Sequence, residues 1–133
     1  MAYRILHCGK SIENYNKCID EHVAGFKGNG PAEGDLIFLV VKVDNKSLCG
    51  ARGVLGEHTE KKPWTNPMDY RNTRVLKQIS FCEPFDVSIL KSVGGTYWAV
   101  KYLQASKIID EENAAKILDE TFISKGRKTP VRF

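Results

Sequence analysis

The sequence predicts an α+β domain in which helices flank one curved, mostly antiparallel sheet or a small open barrel. Two observations lead to this class. The predicted elements follow the order strand, helix, several closely spaced strands and a final helix. The chain has 133 residues, of which 42% are hydrophobic, so it can build one domain around a core of its own.

The N-terminal part begins with a predicted strand, Ala2–Cys8, followed by a helix that Ser11 can cap. We expect this helix to end near Gly25, because glycine commonly terminates helices. Asp35–Val43 is too short for a typical helix and rich in β-branched residues, which predicts a central strand buried on both faces. The apolar face of the helix recurs at steps of three and four residues: Ile12, Tyr15, Ile19 and Val23.

The middle of the chain predicts a hairpin and a third long strand. Turn residues at Asp44–Ser47 separate the central strand from a second strand, Leu48–Glu57. Gly50 and Gly53 inside that second strand indicate a bulge or a close approach to the backbone. The third strand is Thr73–Phe85, which alternates in part between apolar and polar residues.

The C-terminal part predicts one helical turn at Asp86–Ser92 and a helix at Asp110–Phe122, whose first residue, Asp110, can cap it. No element is assigned to Val93–Ile109. The chain then divides into a single domain at residues 1–122 and a basic tail at residues 123–133, which has no hydrophobic periodicity. The apolar face of the last helix is Ala114, Ile117, Leu118 and Phe122.

Charge and cysteine content narrow the function classes. The net charge of +4 at pH 7 is compatible with a polyanionic partner. No apolar run reaches the roughly 20 residues that span a bilayer, and no secretory signal opens the sequence, so we expect a cytoplasmic protein with no membrane partner. The cysteines form no C-x-x-C pair, so we expect buried, reduced thiols, no metal site and no cofactor: Cys8, Cys18, Cys49 and Cys82.

A long polar loop between the second and third strands, His58 to about Asn72, suggests a binding site, because loops of this length are often functional. Trp64 lies in it between two prolines, which limit the freedom of the backbone. Its neighbours are poor core residues, so the indole is expected to be exposed. A preorganised indole face is what a stacked base needs, and Tyr70 in the same loop is a second aromatic candidate.

Basic residues are interleaved with aromatic residues around this loop. Basic side chains supply affinity for phosphate regardless of sequence, and aromatic faces supply stacking. The basic residues are Lys10, Lys27, Arg52, Lys61, Lys62, Arg71, Arg74 and Lys77. Those predicted to contact phosphate are Arg52, Lys62, Arg71 and Arg74.

The spacing of nucleophiles and bases supports no catalytic constellation. The three histidines lie in different predicted elements, and no glycine-rich phosphate loop is present. Glu60–Lys62 has the E-x-K form of metal-dependent nucleases, which also need a second carboxylate such as Asp35 or Asp44. We therefore expect a binding domain and not an enzyme, with a nuclease and a protein-interaction module as alternatives.

Two stretches of the chain follow a known pattern of elements. They are "RILHCGKSIENYNKCIDEHVAGF" at Arg4–Phe26 and "GDLIFLVVKVDNKSLCGARGVLGE" at Gly34–Glu57. A long loop with a tryptophan and a final helix after a polar stretch continue the pattern to Phe122. In this order of elements the chain resembles the YTH domain and its prokaryotic relative, the EVE domain. Both belong to the PUA-like superfamily, so the resemblance implies a PUA-like fold.

The same resemblance implies a function. YTH domains bind a methylated adenine in an aromatic cage, and some EVE-like domains, including ones fused to restriction enzymes, are considered readers of modified DNA bases. We therefore expect a nucleic-acid-binding domain that recognises a modified, for example methylated, base flipped into an aromatic pocket. A specificity role in a restriction system would further imply fusion to, or association with, a nuclease or NTPase.

The resemblance also implies which residues bind the base. Aromatic side chains are expected to form the cage walls, the last two as substitutes: Phe26, Trp64, Tyr70 and Trp98. Polar side chains at the start of the first helix are expected to contact the base edge: Lys10, Ser11 and Asn14. Arg52 is expected to meet phosphate or base. The alternative is a PUA-like module that binds RNA with little sequence preference and does not distinguish modified bases.

Overall fold

The computed structural model describes residues 2–64, 70–93, 105–109 and 111–133. A 3₁₀ helix at Val87–Val93 follows the fifth strand, where the sequence predicts one helical turn. The elements in chain order are β1 (Tyr3–His7), α1 (Ile12–Asp20), β2 (Val23–Phe26), β3 (Leu36–Val43), β4 (Lys46–His58), β5 (Asn72–Asp86), β6 (Ala105–Ile108), α2 (Glu112–Ser124) and β7 (Gly126–Arg127).

The described strands form one seven-stranded sheet in the order β2-β5-β4-β3-β1-β6, with β7 added at the edge of β5. β1 runs parallel to β3, and every other pairing is antiparallel. The parallel pair needs a crossover connection, which α1 and β2 provide. The predicted α+β class with a mostly antiparallel sheet is therefore confirmed.

The central strand β3 is buried on both faces, as its apolar run predicts. Successive side chains of a strand point to opposite faces, so the run divides between two core clusters. Phe38 and Val40 belong to the cluster that α2 covers. The cluster that α1 covers receives Ile37, Leu39 and Val41.

Helix α1 is shorter than predicted. It is capped by Ser11 as expected, because the Ser11 hydroxyl accepts a hydrogen bond of 3.0 Å from the backbone N–H three residues on. The prediction that the helix ends near Gly25 is wrong: it ends at Asp20, and His22 adopts a left-handed φ of 55° that turns the chain into β2. Val23 enters the α1 core cluster from a strand, which explains its misleading helical spacing.

Helix α2 begins later than predicted. The cap was expected at Asp110, but the N-cap residue is Glu111, and its side chain makes no capping hydrogen bond. Asp110 lies outside the described residues. The predicted apolar face is confirmed for the three residues that are buried against the sheet: Ala114, Leu118 and Phe122.

The predicted hairpin joins β3 to β4. Val43 pairs with Lys46, which leaves Asp44–Asn45 as a two-residue loop. The φ angles of these two residues are 50° and 63°. Two left-handed residues are typical of a type I′ turn, whose twist matches that of the flanking strands, and Asp and Asn tolerate this conformation better than most residues.

The four cysteines are buried free thiols, as the sequence predicts. The neighbouring Cys18 thiol and burial raise the pKa of Cys8, while burial and the neighbouring Cys82 thiol raise the pKa of Cys49. A thiol that stays protonated is a poor nucleophile. In the described part of the chain, no helix is both long and apolar enough to cross a membrane.

β5 bulges opposite Gly53, where the glycines of β4 predict an irregularity. Gln78 and Ile79 of β5 face the single residue Gly53. Gln78 has a φ of 52°, the left-handed conformation that bulges of this kind usually assign to glycine. The ladder pairs on either side of the bulge are Arg52–Ser80 and Val54–Lys77.

Replacing Gln78 by glycine should therefore stabilise the domain, because a left-handed L-residue costs about 1 kcal/mol or more. We expect Gln78→Gly to raise the free energy of unfolding by up to about 1 kcal/mol in urea denaturation. The matched control is Ser80→Gly on the same strand, where φ is negative and glycine should cost about 0.5–1 kcal/mol. If both variants lower the free energy of unfolding by the same amount, the backbone of Gln78 is not strained.

Candidate functional site

Trp64 lies against the backbone of β2. A Cβ atom added to Gly25 would lie 2.7 Å from Cη2 and 2.8 Å from Cζ3 of the indole. Any side chain at this position would displace the ring, so glycine is required for the approach. Trp64 is 3% exposed, and the expectation of an exposed indole is therefore wrong.

Tyr70 packs edge-on against Trp64, with ring centroids 4.8 Å apart and an interplanar angle of 74°. This arrangement is one that aromatic pairs prefer. The hydroxyl of Tyr70, a residue that is 1% exposed, accepts a hydrogen bond of 2.9 Å from the side-chain amide of Asn14. The long loop, β2 and α1 are thereby joined into one packed unit.

The packing around Trp64 leaves its indole N–H without a hydrogen-bond partner among the described residues. Within the residues that the structure describes, Nε1 of Trp64 is buried and has no hydrogen-bond acceptor. Buried polar groups are nearly always paired, and an unpaired one costs about 1–3 kcal/mol. A ligand that offers an acceptor to this N–H would recover that energy.

We call Phe26, Trp64 and Tyr70 the aromatic group; Phe26 lies at the end of β2. It is buried in the same core cluster as Trp64 and Tyr70, and the ring contact that the structure shows within the group is that of Trp64 with Tyr70. Trp98 lies outside the described residues. A base inserted between two rings needs them parallel and well separated, and the edge-on pair of Trp64 and Tyr70 leaves no such gap.

The three polar candidates for the base edge lie at the start of α1. Ser11 is engaged as the cap of that helix. Asn14 is buried, and its amide is engaged with Tyr70. Lys10 is exposed, so its ammonium group is available to a ligand.

Arg52 is held on the opposite face of the sheet from Trp64. Its guanidinium group donates a hydrogen bond of 2.6 Å to the carboxylate of Asp119 and lies over the Phe122 ring, 4.5 Å from the ring centroid. Asp119 and Phe122 are both residues of α2. Arg52 therefore joins β4 to α2, and the structure does not bring it to the aromatic group.

The other phosphate candidates lie near the Trp64 end of the sheet. Arg74 donates a hydrogen bond of 3.0 Å to the carbonyl of Gly56 and contacts Nε2 of His58 at 3.0 Å. Lys62 and Arg71 are exposed and flank the Trp64–Tyr70 pair in sequence. Neither makes an ion pair within the described ranges, so both can meet a solvent-borne anion.

A buried carboxylate fixes the glycine-rich loop at residues 27–34. Asp35 accepts hydrogen bonds of 3.0 Å from the backbone N–H groups of Ala2 and Ala32, and one of 2.8 Å from Arg4. Burial opposes ionisation, but these hydrogen bonds and the Arg4 charge outweigh it and hold the pKa of Asp35 below its usual value.

Asn72 fastens the same loop from β5, opposite Phe26 in the ladder. Its amide nitrogen donates to the carbonyl oxygens of Gly28 at 3.3 Å and of Pro31 at 3.0 Å. Sequence reasoning did not identify Asn72 or Gly25 as site residues. Each acts through a partner that is distant in sequence, and nothing in its own neighbourhood marks it.

His7, at the end of β1, is buried and neutral. Its Nδ1 accepts a hydrogen bond of 2.9 Å from the backbone N–H of Gly9, so the ring proton is on Nε2, 3.5 Å from the Ser47 hydroxyl. Burial and the charge of Lys42 lower the pKa of His7. In this tautomer the ring cannot accept the Ser47 proton, so the two side chains do not form a base–nucleophile pair.

The nuclease alternative gains no assembled site in the described part of the chain. There, no group of three or more His, Cys, Asp or Glu residues could hold a metal ion. Asp35, one of the two carboxylates considered, is engaged by Arg4 and backbone N–H groups. Asp44, the other, lies in the turn between β3 and β4.

No protein-family model matches the chain, and no curated protein matches it.

Replacing Gly25 by alanine should displace Trp64, because the new methyl group would overlap the indole. We expect a loss of about 1–3 kcal/mol in the free energy of unfolding, as for other overpacked positions, and a shift of the Trp64 emission maximum in a Trp98→Phe background. Gly28→Ala is the matched control, since a Cβ there meets nothing within 4 Å. A Gly25→Ala protein as stable as this control would disprove the close packing.

Acid should destabilise the domain through His7. The pKa of His7 is lowered in the folded state, whereas its value in the unfolded chain is about 6.5. The contribution of neutral His7 to the free energy of unfolding is therefore complete above about pH 6.5 and is lost as pH falls toward the folded-state pKa. His7→Asn keeps an acceptor for the Gly9 N–H and should make urea stability less pH-dependent between about pH 6.5 and pH 5. His22→Asn, at an exposed histidine, should leave that dependence unchanged. Identical pH profiles for His7→Asn and the wild type would contradict the assignment.

Proposed function

We propose that this chain is a PUA-like, EVE/YTH-type domain that binds nucleic acid and recognises a modified base, with Trp64 as the stacking face. The observation that carries the proposal is the Trp64 indole, which lies flush with Gly25 and has a buried N–H without an acceptor in the described residues. Such a group offers a nucleic acid a π-face on which a base can stack and, in the plane of the ring, a hydrogen-bond donor for an acceptor elsewhere on the strand.

Energetics favour an unpaired base over one taken from a duplex. Flipping a base out of a duplex costs a few kcal/mol, whereas stacking on an aromatic side chain returns about 1–3 kcal/mol. A buried methyl group adds about 0.8 kcal/mol. These terms nearly cancel for a duplex, so we propose that the substrate presents its base in a single strand, a loop or a mismatch.

Base entry requires a rearrangement, because Trp64, Tyr70 and Phe26 are each buried. The Asn14–Tyr70 hydrogen bond holds the closed arrangement. We propose that the base displaces the Tyr70 edge from the indole and takes its place, while Asn14, freed from Tyr70, turns its amide to the base edge. Lys10 also faces the base edge, and Lys62 and Arg71 face the flanking phosphates. We propose a nuclease, alone or with an NTPase, as the partner that would supply any cleavage.

The second candidate is binding of RNA with little sequence preference and no discrimination of modified bases. The burial of the three aromatic side chains favours it, since closed rings offer no preformed pocket. This candidate predicts strong salt dependence and equal affinity for modified and unmodified strands.

Oligonucleotide titration separates the two candidates. Single strands carrying N6-methyladenine, 5-methylcytosine or 5-hydroxymethylcytosine are compared with their parents by fluorescence anisotropy. We expect one modified strand to bind at least about fourfold more tightly, the value of a buried methyl group. We expect Trp64→Ala to weaken that complex by about five- to 150-fold, since a stacked base is worth about 1–3 kcal/mol.

Two further variants control for loosening of the fold. Trp64→Phe keeps a ring in the core and removes the indole N–H, so it should remain folded and lose part of the preference. Tyr3→Ala removes a ring that packs on Phe38 in the α2 core cluster and should leave the preference intact. Unchanged preference in folded Trp64→Phe and Trp64→Ala proteins would refute the base-reading role.

A further inference from the structure

The basic tail lies along the domain and does not extend from it. Gly126–Arg127 pairs with Phe81 and Cys82 at the edge of β5. At the other end of the tail, the ring of Phe133 packs edge-on against Tyr15 of α1, with centroids 5.5 Å apart. The tail therefore crosses from β5 to α1.

The net positive charge of the chain resides in this tail. The chain has 20 Lys and Arg residues and 16 Asp and Glu residues. Residues 123–133 contain no acidic residue, so the 16 basic residues of the domain at 1–122 are matched by its 16 acidic ones. The tail supplies the remaining four cations, Lys125, Arg127, Lys128 and Arg132.

Two exposed ion pairs hold the tail to the domain. Arg127 contacts the carboxylate of Glu83 at 2.8 Å, with side chains 37% and 64% exposed. Arg132 contacts that of Asp20 at 3.3 Å, with side chains 57% and 52% exposed. Exposed pairs of this kind are weak and are screened by salt. Both arginines can therefore exchange a carboxylate for another anion.

The tail also leads toward the Trp64 loop. Asp20, the partner of Arg132, is followed by Glu21, whose carboxylate is 3.5 Å from the ammonium group of Lys61. Lys61 precedes the exposed Lys62 in the loop that carries Trp64. One cation of the tail and one of the loop therefore pair with neighbouring carboxylates at the end of α1.

We propose that the basic tail is the phosphate-binding arm of the domain, in which Arg127 and Arg132 exchange Glu83 and Asp20 for backbone phosphates of a nucleic acid. This inference rests on the proposed nucleic-acid binding and adds a second set of phosphate contacts to those of the Trp64 loop. Lys125 and Lys128, both exposed, bind the same strand. Phosphate contact releases condensed counterions, so each cation that binds a single strand adds about −0.7 to the slope of log affinity against log salt.

The test is the salt slope for an unmodified and a modified single-stranded oligonucleotide between about 50 and about 200 mM salt. Neutralising Lys125, Arg127, Lys128 and Arg132 to glutamine should flatten the slope by up to about 3 and weaken both strands equally. The matched control neutralises four lysines elsewhere on the surface, of which Lys42 is half-buried and the others are exposed, and should change the slope far less: Lys42, Lys46, Lys91 and Lys116.

A gain-of-affinity variant guards against simple unfolding of the tail. Asp20→Asn with Glu83→Gln removes the carboxylates that compete with phosphate, so it should tighten binding several-fold. Glu33→Gln with Glu120→Gln makes the same change in net charge at two exposed positions and should tighten it less.

The outcomes separate this inference from base reading. A modified-strand preference that survives while the tail variant flattens the slope supports both. An unchanged slope in the tail variant, or equal gains in the two acidic-residue variants, overturns the phosphate arm and leaves base reading standing. If the wild-type protein binds modified and unmodified strands equally and the tail variant still flattens the salt slope, base reading alone is overturned. Binding to phosphatidylserine vesicles but to neither oligonucleotide overturns both.

Discussion

The approach of the Trp64 indole to the backbone of Gly25 is the contact on which the candidate site depends. A Cβ at Gly25 would meet the ring at 2.7 Å, so one missing side chain decides that a loop tryptophan becomes part of the core. Tyr70 then packs edge-on against the indole, and Asn14 donates to the Tyr70 hydroxyl. Through these three contacts the loop, β2 and α1 form one unit, and a change at any of them reaches the others.

The closed state of this unit bears directly on the proposed function. A cage that is open before binding would expose large apolar rings to water, at a cost of about 25 cal/mol per Å² of surface. Here the rings are buried against one another and the polar cost falls on the Trp64 N–H, which lacks an acceptor among the described residues. We propose that the bound strand removes that cost by offering this N–H an acceptor. Initial affinity would then come from electrostatic contacts outside the aromatic group, for which the basic tail is suited, since it carries four cations and no acidic residue.

Local patterns predicted much of the fold, and distant contacts account for what they missed. The hairpin at Asp44–Asn45 and the two-faced burial of β3 follow from turn chemistry and a short apolar run, which a few neighbouring residues determine. The predicted position of the C-terminal end of α1 was wrong, because Val23 continues the helical spacing of apolar residues although it enters the core from a strand. β6 was not predicted, and neither was the parallel pairing of β1 with β3, because pairing partners leave no mark on a strand's own sequence. For the site, composition selected Trp64 and Tyr70, but their burial depends on Gly25 and Asn14, which composition does not connect to them.

The most direct test of the central claim is the NMR resonance of the Trp64 indole N–H, assigned by its disappearance in Trp64→Phe. In the unliganded protein an N–H that is buried and has no acceptor should resonate upfield of a hydrogen-bonded indole and exchange slowly with solvent. On titration with the preferred modified single strand, we expect this resonance to move downfield as the bound strand supplies an acceptor, while the unmodified strand causes a smaller change at equal occupancy. An indole resonance that stays fixed while the oligonucleotide saturates the protein would contradict the account.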